Sequence, residues 1–238
     1  NLSSFSAGGY NFYLGNFYEY SSVPWHYTFI WIGITTPIFY LVLFVLGFTN
    51  YILRIKGRIF KITNENSLND FWRGEAELED LIYCLLLIAP IIIVILLDST
   101  LYNGWRHLYF IYPSFLLIAL KGLYLIDLNY LRKKKMLLII FVILFSTHTT
   151  FVMIKDHPHQ NVYFNFFAGK NIETKFELDY WGLSNKQAFE YILKNDSKDI
   201  IMIGSAGPIS LENSKQILSS SEKNRISISK NTESEYII

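Results

Sequence analysis

The chain has 238 residues, 51% of them hydrophobic and 17% aromatic, with only 17% charged and a mean hydropathy of +0.25. That is too apolar and too sparsely charged for a wholly soluble domain of this length. The net charge of +1 excludes a general electrostatic affinity for nucleic acid, and the one cysteine, Cys84, excludes a disulfide within the chain.

The apolarity concentrates between residues 27 and 154, so the chain reads as an α-helical integral membrane protein with a soluble tail. Three regions are expected: an aromatic loop over 1–26, a membrane region over 27–154 and a mixed tail over 155–238. Residues 1–26 hold no Lys or Arg. The stretch GGYNFYLGNFYEYSSVPWHYTF interleaves Tyr and Phe with Gly, Asn and Ser. It is too polar to span a bilayer and too aromatic for an idle linker.

Four apolar runs predict spanning helices, since a bilayer takes about 20 residues of helix. They are roughly Tyr27–Leu53, Leu81–Leu97, Leu108–Ile126 and Met136–Ile154. Pro37 and Pro90 fall inside the first two and predict kinks. RIKGRIFK (Arg54–Lys61) follows the first run, and LRKKK (Leu131–Lys135) separates the third from the fourth. The loop Asp98–His107 has Arg106 as its one Lys or Arg. The positive-inside rule therefore predicts both basic segments in the cytoplasm, with the N-terminal segment, the Arg106 loop and the tail outside. The polar segment Lys61–Asp80 is expected near the cytoplasmic surface, its GEAELED part opening the second helix.

In the tail, NKQAFEYILKN (Asn185–Asn195) has helical spacing with Ser184 as its expected cap. DIIMIGS (Asp199–Ser205) and RISISK (Arg225–Lys230) read as strands around a second helix in PISLENSKQILSSS. That order predicts a small α/β unit with a parallel pair. IGSAGP lacks nucleotide-binding spacing and reads as a strand-to-helix turn. The chain starts on Asn1 and closes on SEYII like an unfinished strand, so a piece of a longer protein is expected.

Candidate site residues collect at the outward ends. Trp25, His26 and Tyr27 flank the first span and Tyr102, Trp105, Arg106 and His107 the third. Aromatic rings favour the headgroup layer, so an interface belt accounts for most of them. Arg106 stands out, because the positive-inside rule does not account for an outer arginine and because Arg suits bidentate contact with phosphate. Asp179, Tyr180 and Trp181 either anchor the tail or touch a ligand. His157 and His159 lack a carboxylate or cysteine at ligand spacing, so no metal site is called for. Cys84, inside an apolar run, reads as inert packing.

Several stretches together resemble the C-terminal half of bacterial membrane glycosyltransferases with the GT-C fold. These are the relatives of the dolichyl-phosphate-mannose protein mannosyltransferases and the lipid A aminoarabinose transferases. The resemblance covers about residues 16–195 and rests on P-W-x-Y at Pro24–Tyr27, I-T-T-P at Ile34–Pro37, R-H-x-x-F-x-x-P at Arg106–Pro113 and D-Y-W-G at Asp179–Gly182.

The resemblance implies sugar transfer from a polyprenyl-phosphate carrier to an unassigned acceptor on the outer face of a bacterial inner membrane. The lipid bilayer is then a second partner. It implies a general base in an external loop outside this chain; Glu19 and Asp98, the carboxylates near the outer boundary before the tail, are not assigned that role. Arg106, with His107 and Tyr102, is expected to hold the donor phosphate. Trp25, His26, Tyr27, Trp105, Asp179, Tyr180 and Trp181 are expected to contact sugar or lipid. No cofactor is required, and a divalent metal is left open. A transporter or flippase for a lipid-linked sugar is the alternative, disfavoured because Thr35, Thr36, Lys121 and His148 are the main polar groups in the spans. A membrane-anchored interaction protein is a third reading.

Overall fold

The computed structural model describes residues 8–60, 71–127, 134–205, 211–229 and 233–238. Parts of the expected polar segment (61–70), basic loop (131–133), glycine turn (206–208), second tail helix (208–210) and final strand (230) lie outside the described residues. Two compact units emerge, one within Asn1–Ile154 and Phe164–Phe176, the other within Lys155–Tyr163 and Glu177–Ile238. Phe164–Phe176, expected in the tail, therefore belongs to the helical unit.

In that unit the aromatic N-terminal stretch is a hairpin, β1 (Tyr10–Tyr13) paired antiparallel with β2 (Asn16–Glu19). The two-residue turn takes positive φ at Leu14 (50°) and Gly15 (80°), the backbone hand that a tight hairpin needs. Tyr13 is fully buried and bridges to Phe176, and the Gly15 N–H donates to the Lys175 carbonyl at 3.0 Å.

The expected first span is not one helix. It divides into α1 (Tyr27–Thr35) and α2 (Ile38–Phe60), with Thr36 extended at φ −98°, ψ 136°. Pro37 has no N–H for the Gly33 carbonyl and disfavours helical backbone at Thr36. Asn165 supplies what the break removes. Its Nδ2 donates to the carbonyls of Gly33 (2.7 Å) and Thr36 (2.6 Å), and its backbone N–H donates to that of Ile34 (2.8 Å).

Helix α3 (Glu75–Leu96) carries Glu75 and Glu77 in its first turn and continues through Pro90. Helix α4 (Tyr112–Ile126) follows a 3-10 turn over Arg106–Ile111 and has Pro113 in its first turn, where the missing N–H is harmless. Helices α2 and α4 meet backbone to backbone. A Cβ on Gly47 would overlap the Ile118 carbonyl, and one on Gly122 the Leu43 carbonyl. Phe44 stacks on Phe115 at 4.4 Å beside this crossing.

At one end of the three helices charges pair: Arg54 with Asp80 (3.0 Å), Arg58 with Glu77 (2.6 Å), and Lys121 with Asp80 (3.2 Å) and Glu79 (3.5 Å). These contacts join the C-terminal parts of α2 and α4 to the start of α3, so α3 runs opposite to the other two. Helix α5 (Lys135–Lys155) has no buried residue, though Phe145 stacks on Phe39 of α2 at 4.4 Å.

Four helical segments of 21 or 22 residues are long and apolar enough to cross a membrane: Ile38–Arg58, Glu75–Leu96, Arg106–Ile126 and Lys135–Lys155. The first two differ most from the expected runs. Span one begins only after the Pro37 break, and span two begins six residues earlier because its acidic first turn is already helical.

The second unit has a three-stranded parallel sheet, β4 (Ile226–Ile228), β3 (Ile201–Gly204), β5 (Tyr236–Ile237), with β3 central. Phe189, Ile192 and Leu193 of α6 (Asn185–Asn195) bury against Ile201, Ile203 and Ile226. The expected second helix is two short ones, α7 (Leu211–Lys215) and α8 (Ser220–Arg225). Ser219 and Glu222 cap α8 reciprocally. Arg225 donates to the carbonyls of Leu193, Asp196 and Lys198, closing the C-terminal end of α6.

Candidate functional site

The loop between α3 and α4 is fixed by a relay of buried polar groups. Asn11 Nδ2 donates to the Leu101 carbonyl (2.8 Å), the Tyr27 hydroxyl donates to Asn11 Oδ1 (3.1 Å), and the Gly104 N–H donates to the Tyr27 oxygen (3.1 Å). The Leu101 N–H donates to the Tyr20 carbonyl at 2.8 Å. Asn103 (φ 55°) and Gly104 (φ 65°) turn the chain, and Gly104 lies close to the Trp31 ring.

This frame assembles an aromatic and cationic group. The Arg106 guanidinium lies over the Tyr102 ring, 4.5 Å from its centre, and the His107 ring meets Tyr102 edge-on at 4.5 Å. Tyr20 packs on Tyr102 from the hairpin side at 5.0 Å. All three of Tyr102, Arg106 and His107 are half-buried. A cation on an aromatic face, flanked by imidazole and phenol groups, suits an anion at a membrane boundary.

Trp25, His26 and Tyr27 part company. Trp25 is 67% exposed, with its indole held edge-on by His26 (5.5 Å) and Phe29 (6.3 Å). His26 Nδ1 lies 2.7 Å from the Tyr13 hydroxyl. Burial, and then Tyr18, raise the Tyr13 phenol well above its ordinary pKa. Tyr27 is buried, its hydroxyl engaged in the relay above. Trp105 is buried too and donates its Nε1–H to Thr35 Oγ1 at 3.0 Å. Tyr27 and Trp105, expected to contact sugar or lipid, are buried and brace the loop from inside.

Asp179, Tyr180 and Trp181 belong to the second unit. D-Y-W-G is a tight turn, with the Gly182 N–H donating to the Asp179 carbonyl at 3.1 Å and Gly182 at φ 63°. The Asp179 carboxylate accepts from the N–H groups of Leu183 (3.1 Å) and Ser184 (2.7 Å) and from the Ser184 hydroxyl (2.6 Å). Ser184 makes no side-chain cap on α6; Asp179 organises the helix start instead. Burial opposes ionisation of Asp179, but the bonds from Ser184 and Leu183 outweigh it and hold the carboxyl below the usual range. Trp181 is about half exposed, with Tyr180 edge-on at 5.3 Å.

His159 Nε2 lies 3.1 Å from Gln187 Oε1 and His157 Nδ1 2.9 Å from Gln160 Nε2. Among the described residues no three His, Cys, Asp or Glu side chains converge as a metal site would need. One small open cleft of ≈ 50 Å³ lies beside Trp25, lined also by Ser21, Thr28, Ile95, Asp98 and Ser99.

No family model, curated protein or solved structure matches the chain. The class that the fold defines is a mostly helical protein with four candidate membrane-spanning helices and small sheets.

Proposed function

We propose that this chain belongs to a membrane glycosyltransferase of the GT-C type, and that it holds a polyprenyl-phosphate-linked sugar with the phosphate on Arg106. The observation that carries this is the stacking of Arg106 on Tyr102, with His107 on the same ring, at the start of a candidate span. A lipid phosphate presents its head group at that depth. As the glycosidic bond breaks, negative charge grows on the departing phosphate, and a fixed cation there stabilises the transition state more than the ground state. Tyr102 keeps the guanidinium in place, and His107 packs on the same ring.

The orientation follows the charge pattern, with Arg54, Arg58, Lys134 and Lys135 in the cytoplasm and the Arg106 end outside. The transporter alternative loses support at Lys121. This lysine pairs with Asp80 and Glu79 beside the charged end of the bundle, not at mid-depth as a relay would need.

The test is Arg106→Ala in the full-length protein with a polyprenyl-phosphate-sugar donor. Transfer is expected to fall on the order of 10²-fold or more, with Arg106→Lys in between because it retains the charge without the planar fork. Transfer at the wild-type rate in Arg106→Ala removes the phosphate role.

A further inference from the structure

Helix α3 ends with the Asp98 N–H donating to the Ile95 carbonyl (3.3 Å) and the Ser99 N–H donating to the Val94 carbonyl (3.0 Å). This paired closure places Asp98 where the backbone turns left-handed, at φ 43°, a position that glycine ordinarily fills. A carboxylate here also faces the negative end of the helix dipole. Asp98 tolerates this backbone better than most side chains would, though less well than glycine, and the helix end disfavours its charge. Its side chain is exposed, and none of the described residues offers it a hydrogen bond or an ion pair. Local strain that the fold does not use is a mark of a functional position.

Asp98 lines a cleft together with Trp25, whose side chain is exposed and braced by His26 and Phe29, and with Ser21, Thr28 and Ser99. A flat apolar face beside a hydrogen-bond acceptor and several hydroxyls matches a ring with one apolar face and an edge rich in hydroxyl groups. The cleft itself, at ≈ 50 Å³, has room for that edge and not for a whole ring.

We infer that the cleft between Trp25 and Asp98 is a sugar subsite, in which a pyranose lies on the Trp25 face and donates hydroxyl hydrogens to the Asp98 carboxylate. The sugar's source, the lipid-linked donor, rests on the function proposed above. Asp98 acts as a specificity residue, accepting hydrogen bonds without taking part in bond breaking.

Binding to the full chain in lipid nanodiscs tests this, with polyprenyl monophosphate bare or bearing glucose, galactose, mannose or arabinose. One sugar-bearing lipid is expected to bind about tenfold tighter than the bare lipid, as one or two hydrogen bonds to a charged group provide. Asp98→Asn, which tolerates the left-handed backbone, removes this increment and leaves bare-lipid affinity unchanged. Trp25→Ala removes it as well, whereas Arg106→Ala weakens both lipids alike. Asp98→Gly removes the increment while raising Tm; a lowered Tm contradicts the strain at this position and overturns the inference. So does an Asp98→Asn protein that keeps the increment or loses bare-lipid affinity equally. If no polyprenyl phosphate binds, methyl glycosides of the same sugars decide. Asp98-dependent glycoside binding upholds the subsite and removes the lipid-phosphate reading. Binding of tetramethylammonium in place of any glycoside, or of neither, removes the subsite.

Discussion

At Asp179 a side chain that looks like a ligand contact in sequence has a local task. Its carboxylate gathers two N–H groups and a hydroxyl at the start of α6. Its folded pKa is depressed, so its contribution is present above the unfolded value, about 3.9, and is lost as pH falls through the folded one. Asp179→Ala should therefore lower Tm at pH 6 by an amount matching about 0.5–2 kcal/mol, the usual worth of such a cap. The gap between wild type and variant should close as the pH is taken well below 4. A gap that persists unchanged in acid contradicts the assignment. Asn165 is a similar case at the opposite end of legibility, since nothing near it in sequence announces that it repairs a helix break 128 residues upstream at Pro37.

Among elements, the α2–α4 crossing shows why glycine position matters more than glycine number. Within membrane helices close backbone approach substitutes for the hydrophobic drive that lipid does not provide. Gly47 and Gly122 permit that approach, whereas a Cβ on Gly57, also in α2, would meet open space. Gly122→Ala should destabilise by about 1–3 kcal/mol, as overpacking does. Gly57→Ala should be neutral or stabilising by up to about 1 kcal/mol, because it restricts the unfolded chain. Thermal unfolding of the two variants side by side checks the pair, and equal effects refute the crossing.

On the scale of the whole molecule, α2, α3 and α4 separate two chemistries to opposite ends. Arg54, Arg58, Glu77, Asp80 and Lys121 pair at one end, whereas Trp25 and Asp98 share a cleft where α1 begins and α3 stops, and Arg106 opens the turn ahead of α4. The proposed orientation predicts that, with Cys84 replaced by Ser, a cysteine at Ser21 reacts with a membrane-impermeant maleimide added to intact cells, while one at Lys135 reacts only after lysis. The reverse pattern would invert the topology and with it the proposed side of sugar transfer.

Length and apolarity alone determined the number of candidate spans, because a bilayer sets a minimum run that few other structures need. Alternation and helical spacing likewise announced the α6–β3–β4 order of the tail, since those periods follow from backbone geometry. Pro37 was visible in sequence as a kink, but its full effect, two helices joined by the amide of Asn165, depends on a partner far along the chain. The hairpin escaped because its strands are short, and Tyr13 and Phe176 stabilise it only once brought together. At the site, Arg106, Tyr102 and His107 are near neighbours in sequence, and their grouping was legible for that reason. Asp98 was not. In sequence it is one of two carboxylates near the outer boundary with no role, and only the tertiary structure gives it a left-handed backbone, the end of a helix dipole and a cleft shared with Trp25.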